Sequence, residues 1–94
     1  MEPGTRVRRG VGVVMRPEEE EAFLFDPDHG TLKLLNWTGV EVWGLLDGQR
    51  GAGDVAAALA RSHPDADPAA LAADVDRFLE ELVAAGLADT VAGG

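Results

Sequence analysis

Polar and apolar positions divide the chain into two halves. In the first half, apolar residues form short runs bounded by glycine, proline and acidic residues, a pattern typical of β-strands. Residues 6–16 favour a strand or a broken strand, with Gly10 or Gly12 marking a bulge. Residues 22–25 and 31–35 flank a turn rich in aspartate, proline and glycine, which predicts a β-hairpin.

The second half has the spacing of amphipathic helices. We predict a first helix at about 39–46, ending at a glycine, and an alanine-rich second helix at about 52–62. The third helix begins with Asp67 as N-cap and Pro68 at the first helical position, and it ends at Gly86. One apolar stripe runs along this helix, formed by Leu71, Val75, Phe78, Leu79 and Leu82.

Three strands followed by three helices predict an α+β fold. We expect a three-stranded antiparallel sheet packed on a three-helix bundle. The 94 residues correspond to a single domain spanning 1–94, which is large enough for a core without covalent links. We expect the ordered core to cover about 6–88, with residues 1–4 frayed and residues 91–94 forming a loose tail.

The junction between strand and helix at residues 35–45 holds both tryptophans. Thr38 and Glu41 have the Thr-x-x-Glu spacing of a capping box, in which the two side chains bond to backbone amides of the first turn. Trp37 and Trp43 are six positions apart with Val40 midway, so we expect one helical face to carry all three and to build the core there. The pattern therefore predicts a structural corner that holds the end of the preceding strand.

Composition argues against several classes of protein. The chain has no cysteine, which excludes disulfides, thiolate metal sites and cysteine nucleophiles. It has no apolar run of membrane-spanning length and no apolar signal core at its N-terminus, so we expect a cytoplasmic protein. Seventeen acidic residues oppose eight basic ones, and the net charge of −9 argues against binding to nucleic-acid phosphates.

Residues that usually carry catalysis are sparse. His29 lies in the hairpin turn and His63 follows a helix end, so we predict surface positions for both. Ser62 is the single serine, and no glycine-rich phosphate loop follows a strand. The acidic residues of the third helix lie away from its apolar stripe, and no second element is available to complete a metal site. We therefore predict a protein that is not an enzyme and has neither metal nor cofactor.

The second arm of the hairpin, residues 31–35, is the best candidate for a binding surface. Lys33 at its centre is typical of a solvent-exposed edge strand. Such an edge accepts an extended peptide as an added strand, through backbone hydrogen bonds and pockets for alternate side chains. Leu32 and Leu34 share one face of this strand, and the alternative interpretation is that they fill the core.

A series of motifs extends from the hairpin to the end of the third helix. They are Phe25-Asp26-Pro27-Asp28, Gly30, Leu35-Asn36, Thr38-Gly39, Val42-Trp43, Leu45-Leu46-Asp47-Gly48, Asp54-Val55, Leu59, Asp74-Val75, Phe78-Leu79, Leu82 and Gly86-Leu87. With these motifs, residues 7–87 resemble the PqqD family. The resemblance implies a small winged-helix-like fold and a recognition element for ribosomally synthesised and post-translationally modified peptides (RiPPs). Such proteins are peptide chaperones that bind the leader region of a precursor peptide and present it to a modifying enzyme, often a radical S-adenosylmethionine (radical SAM) enzyme.

The resemblance also implies where the leader lies. In relatives it adds beside the third strand and packs against the third helix. On the third helix, Arg77 is expected to face the leader, and a helical register shifted by one position would put Asp76 in its place. Gly51 departs from the family, whose members often place a threonine near that helix start, so we expect local fraying there. Carried onto this chain, the peptide-binding residues are Thr31, Leu32, Lys33, Leu34 and Leu35 on the strand, and Asp74, Arg77, Phe78 and Glu81 on the helix.

Two other functions are compatible with the same pattern. A winged-helix fold also serves nucleic-acid-binding regulators, although the acidic balance of this chain disfavours that function. A self-associating structural module is the second alternative, in which the edge strand pairs with its symmetry mate in a homodimer. The identity of the partner enzyme is open as well, because lasso-peptide systems use related recognition proteins with a leader peptidase.

Overall fold

A computed structural model describes residues 1–92 and contains two small sheets and three helices within that range. Each element is short, and the longest is a helix of 17 residues. In chain order the elements are β1 (Arg6–Arg9), β2 (Val14–Pro17), β3 (Ala22–Asp26), β4 (Thr31–Leu35), α1 (Trp37–Gly44), β5 (Asp47–Gly51), α2 (Ala52–Ser62), α3 (Pro68–Ala84) and β6 (Ala88–Val91).

The strands form two three-stranded antiparallel sheets, ordered β5-β1-β6 and β2-β3-β4. The second sheet contains the predicted hairpin, β3 and β4, and the α+β fold class is confirmed. One sheet was predicted from the sequence, however, with residues 6–16 as a single strand or a broken strand. They are two strands in different sheets, because the chain turns at Gly12, whose φ of 82° is the left-handed conformation that glycine tolerates.

Strands β5 and β6 were not predicted. The sequence of β5, Asp-Gly-Gln-Arg-Gly, lacks the β-branched and aromatic residues that mark strands, and β6 has only four residues. Both pair with β1, which lies far from them in sequence, so their formation depends on tertiary contacts. Val91 ends β6 and is therefore not part of a loose tail; residues 93 and 94 lie outside the described range.

The first residues are docked rather than frayed, contrary to the prediction. The N-terminal ammonium of Met1 lies 2.8 Å from Oε1 of Glu80. The carbonyl of Pro3 accepts from the amide of Gly53 at 2.8 Å, and that of Thr5 accepts from the amide of Ala52 at 2.9 Å. These carbonyls satisfy amides of the first turn of α2, which would otherwise lack partners.

The same contacts explain the glycine at the start of α2. A Cβ atom on Gly51 would lie 2.6 Å from the carbonyl oxygen of Pro3, a separation that is sterically forbidden. A threonine at this position is therefore incompatible with the docked N-terminal segment. The amide of Gly51 also donates to Oδ2 of Asp54 at 3.1 Å, so the expected fraying is not observed.

Helix α3 begins as predicted, whereas the predicted start of α1 was wrong. Oδ1 of Asp67 accepts from the amide of Ala69 at 3.2 Å and caps α3. In α1 the N-cap is Asn36, whose Oδ1 accepts from the amide of Gly39 at 2.8 Å. Thr38 is already inside the helix, so the Thr38–Glu41 capping box does not form.

Only one of the two tryptophans is in the core. Trp43 is 5% exposed, whereas Trp37 is 49% exposed, so the prediction of a common buried face was wrong. The reason is geometric: at 100° per residue, six positions separate two side chains by about 120° around the helix. Trp37 is the first residue of α1 and lies outside the core cluster.

A single hydrophobic core lies between the sheets and the helices. It draws at least one buried side chain from almost every element, and this arrangement fixes β4 relative to α3. Its largest fully buried members are Val7, Leu24, Leu35, Val42, Leu46, Val55, Leu59, Val75, Leu79, Leu82 and Leu87.

Candidate functional site

A groove of about 430 Å³ separates β4 from α3. One wall is β4 and the other is α3, while the start of α1 closes one side and α2 contributes to the floor. The lining residues are Lys33, Leu34, Leu35, Asn36, Thr38, Gly39, Val42, Leu59, Leu71, Asp74, Val75, Arg77, Phe78 and Glu81.

Strand β4 is an edge of its sheet. Within the described part of the chain, it pairs with β3 over all five residues, from Thr31 opposite Asp26 to Leu35 opposite Ala22, and is the last strand in the order β2-β3-β4. The backbone donors and acceptors on its other side therefore lie along the groove. An edge of this kind is a template for pairing with another extended chain.

The floor of the groove is apolar and rigidly held. Leu35, Val42, Leu59 and Val75 are each at most 2% exposed and belong to the hydrophobic core. Phe78 is half-buried and belongs to the α3 wall of the groove. An apolar side chain that entered the groove would contact fixed hydrocarbon, and burying it would contribute about 1.5–3 kcal/mol.

Charged residues bridge and border the groove. Nζ of Lys33 lies 3.2 Å from Oε2 of Glu81 and 5.9 Å from the ring centroid of Phe78. Lys33 thus points toward α3 and is half-buried, although β4 is the edge strand that this lysine indicated. On the α3 wall, Arg77 donates to Oδ1 of Asp74 at 2.8 Å.

Glycine 39 allows α1 to start close to β4. A Cβ atom there would lie 3.3 Å from Cβ of Leu35 and 3.4 Å from Oδ1 of Asn36, tighter than ordinary contacts. A larger residue would push the helix from the end of the strand. The Leu-Asn-x-Thr-Gly sequence therefore builds the corner where β4 ends and the groove begins.

Most residues of the proposed peptide-binding set lie together at this groove. Thr31 and Leu32 do not line it, and the alternative α3 residue Asp76 does not either. Leu32 and Leu34 are 62% and 53% exposed, which contradicts the interpretation that they fill the core. The residues of the set that line the groove are Lys33, Leu34, Leu35, Asp74, Arg77, Phe78 and Glu81.

Half of the lining was not anticipated from the sequence. Leu71 and Val75 precede Phe78 by seven and three positions, and this helical spacing was a usable signal for the α3 wall. No local pattern marks Leu59 as part of the floor, because α2 reaches the groove through tertiary packing. The unanticipated residues are Asn36, Thr38, Gly39, Val42, Leu59, Leu71 and Val75.

Both histidines pair with carboxylates outside the groove. Nδ1 of His29 lies 2.8 Å from Oδ2 of Asp26, and this hydrogen bond raises the pKa of His29 and lowers the pKa of Asp26. The amide of Asp28 also donates to Asp26, so the pair stabilises the turn of the hairpin. Nε2 of His63 lies 2.9 Å from Oε1 of Glu41 and links the end of α2 to α1.

Residues 1–92 hold neither a metal-binding cluster nor a membrane-spanning helix. In that range, no group of three or more histidine, cysteine or acidic residues is placed to hold a metal ion. None of the helices that the structure describes is long and apolar enough to cross a membrane.

Comparison with protein families gives one match over most of the chain. The model of the family described as coenzyme PQQ synthesis protein D (PqqD) matches residues 21–88. This segment contains the hairpin, all three helices and thus both walls of the groove. No protein with a curated description matches the chain significantly.

Two solved structures have a similar fold. The first is the NMR structure of the PqqD truncation of Methylobacterium extorquens PqqCD, described as a functional and stand-alone RiPP recognition element. Its sequence is 28% identical and the TM-score is 0.72, and the match covers 95% of this chain and 99% of that chain. The second is TbiB1 in complex with the TbiA(beta) leader peptide, with 22% identity, a TM-score of 0.75, and coverage of 92% and 99%. The second likeness shows the fold alone.

Proposed function

Because this chain belongs to the PqqD family, we propose that it is a RiPP recognition element that binds the leader region of a precursor peptide. The observation that carries the proposal is the open edge of β4, which faces α3 across an apolar groove. An edge strand beside a hydrophobic wall is the arrangement used for peptide recognition by strand addition. Among solved structures of this fold, TbiB1 is in complex with a leader peptide.

In the proposed complex, the leader lies along β4 as an additional strand. Its backbone pairs with the edge, and its alternate side chains point into the groove because side chains alternate along a strand. These side chains contact Leu35, Val75 and Phe78. The peptide-binding set predicted from the family resemblance remains the proposed site, with Thr31 and Leu32 contributing through their backbone.

The affinity required is modest. A dissociation constant of 1 μM corresponds to about −8.2 kcal/mol. Apolar side chains buried in the groove contribute about 1.5–3 kcal/mol each, and backbone pairing adds to this against the entropy lost on association. The net charge of −9 favours leaders that carry basic residues near the apolar anchors, since opposite charge speeds encounter.

The protein acts on the peptide without catalysis and presents it to a modifying enzyme. Family resemblance favours a radical SAM enzyme as this partner, with a leader peptidase of the lasso type as the alternative. The free edge of β4 also allows a homodimer, in which the two edges pair and a leader competes with the second copy. Sedimentation with and without leader separates these two states.

Chemical-shift mapping on the ¹⁵N-labelled protein tests the location of the site. Leaders of precursor peptides encoded beside the gene are added in excess. We expect the largest shifts in β4 and on the groove side of α3, with small shifts in the sheet β5-β1-β6, which is remote from the groove. Shifts concentrated in the sheet β5-β1-β6, with β4 unchanged, would contradict the proposed site.

A further inference from the structure

The outer face of the sheet β2-β3-β4 is apolar although it faces solvent. One cross-strand row runs from Val14 on β2 through Phe25 on β3 to Leu32 on β4. In the adjacent row, Phe23 on β3 lies opposite Leu34 on β4. We call these five residues the outer patch. Val14, Phe25, Leu32 and Leu34 are 54%, 42%, 62% and 53% exposed, and Phe23 is half-buried.

The fold does not require this patch. An antiparallel sheet with one solvated face normally alternates apolar residues on the core side with polar residues on the other. Here the core side is supplied by Leu24 and Leu35, while the outer positions are apolar except Arg16. Single exposed apolar residues are ordinary, but a contiguous group of this kind marks a surface that binds another molecule.

The outer patch is a different surface from the groove floor. Because side chains alternate along β4, Leu32 and Leu34 point away from the face that carries Lys33 and Leu35. A leader in the groove therefore leaves the patch uncovered. The two surfaces are nevertheless continuous, since Leu34 belongs to the patch and also lines the groove. A leader added beside β4 would extend the patch with its own outward side chains.

The charges around the patch indicate what covers it. Residues 18–21 are four consecutive glutamates in the β2–β3 connection, and with Phe23 they line a concavity at one end of the patch. Asp28 lies in the turn at the opposite end. A second copy of the chain would bring two acidic borders and two net charges of −9 together, which is unfavourable. Apolar residues bordered by lysine and arginine fit this surface better.

We propose that the outer patch docks the enzyme that acts on the bound peptide, through an apolar surface bordered by basic residues, while the leader occupies the groove. This inference rests on the proposed function. It accounts for presentation of the substrate, because a partner on the patch lies beside the added strand and contacts its outward side chains. Leader and enzyme then bind with positive coupling, and each raises the affinity for the other.

The double variant Val14→Thr/Phe25→Thr tests the patch. Neither residue lies on β4, the strand that pairs with the leader, and threonine retains β-propensity. Val11→Thr is the matched control, because Val11 is 88% exposed but lies in the connection between β1 and β2. The probe is the purified modifying enzyme encoded beside the precursor, titrated by calorimetry with and without leader.

We expect the double variant to bind the enzyme at least about tenfold more weakly, because it loses apolar contacts at the centre of an interface. Its affinity for the leader should be unchanged. The control keeps both affinities. Unchanged enzyme binding in the double variant would overturn the inference. Self-association of the free chain that the double variant abolishes would also overturn it, by identifying a second copy as the occupant.

A second variant tests the charge argument without altering the sheet. Glu19→Lys/Glu20→Lys reverses two charges in an exposed connection, and we expect it to weaken enzyme binding. The affinity of the wild-type protein for the enzyme should also fall as salt is added, because salt screens the attraction. Equal affinity in this variant would contradict a basic partner surface. Enzyme binding is also measured without leader. Absence of leader binding would therefore overturn the proposed function, while the effect of the patch variants on enzyme binding would still test the outer patch.

Discussion

Nζ of Lys33 lies 3.2 Å from Oε2 of Glu81, and this ion pair joins β4 to α3 across the groove. The pair crosses the space that an added strand would follow. Lys33 also lies 5.9 Å from the ring centroid of Phe78, so its ammonium is held between a carboxylate and an aromatic face. A leader must therefore pass beside this bridge or displace it.

The Lys33–Glu81 pair should contribute little to stability. Glu81 is 52% exposed, so solvent screens the attraction. We expect Glu81→Gln to change the free energy of unfolding by about 0.5 kcal/mol or less in urea denaturation. Asp74→Asn, which removes a pair contained within α3, is the matched control. A loss several times larger for Glu81→Gln alone would show that the pair holds α3 against the sheet.

Phe78 should be an anchor for the bound peptide. We expect Phe78→Ala to weaken leader binding by about tenfold or more, because truncating a large aromatic at the centre of an interface removes its contact area. Val83→Ala is the control, since Val83 is half-buried on the same helix but does not line the groove. Calorimetry on folded variants gives both affinities. Equal weakening by the two variants would assign the effect to stability of α3.

Backbone pairing predicts an alternating response of the leader. In an antiparallel edge, every second amide of the added strand points to its partner. Leader peptides N-methylated at single successive positions should therefore lose affinity at alternate positions, by about 0.5–1.5 kcal/mol or more for each lost hydrogen bond. The unmethylated leader is the reference. A uniform profile would indicate that the peptide binds without joining the sheet.

Docking of the N-terminal segment predicts a steric limit at residue 51. Gly51 has a φ of −75°, which alanine also adopts, so a destabilisation by Gly51→Ala would come from the clash with Pro3. We expect a loss of about 1–3 kcal/mol in urea denaturation. Gly44→Ala is the control, because a Cβ there meets nothing within 4 Å. If both variants are equally stable, the N-terminal segment does not pack on α2.

The Asp26–His29 pair predicts a bell-shaped contribution to stability. The pKa of His29 is raised above 6.5, so its stabilisation is present below that pH and is lost as pH rises through the raised pKa. The pKa of Asp26 is lowered below 3.8, so its stabilisation is present above that pH and is lost as pH falls through the lowered pKa. His29→Gln should flatten the alkaline limb in thermal melts. If His29→Gln leaves the pH profile of stability unchanged, the Asp26–His29 pair is not the cause of the alkaline loss.

Local sequence signals predicted those elements whose formation depends on local interactions. The hairpin of β3 and β4, helix α2 and the Asp67 cap of α3 were all anticipated from turn formers, periodicity and capping residues. The sheet β5-β1-β6 was not, because β5 and β6 become strands only when β1 lies between them. Strand pairing between distant segments leaves little trace in short, polar sequences.

The site was predictable to the extent that periodicity fixes side-chain direction. Arg77 and Phe78 both line the groove at the positions that helical spacing gives them, because α3 is long and regular. On β4 the alternation was correct as well, but the sequence did not reveal which face meets the core. Tertiary packing turned Lys33 toward α3 and left Leu32 and Leu34 outside. The apolar outer patch was hidden for the same reason.

Calorimetric titration of the protein with the leader peptides encoded in its gene neighbourhood is the decisive test of leader binding. We expect one of these leaders to bind with a 1:1 stoichiometry and a dissociation constant of about 1 μM or tighter, corresponding to about −8.2 kcal/mol or more favourable. We also expect Phe78→Ala to weaken this binding. Absence of heat with every neighbouring leader, from protein shown to be folded, would contradict the proposed function.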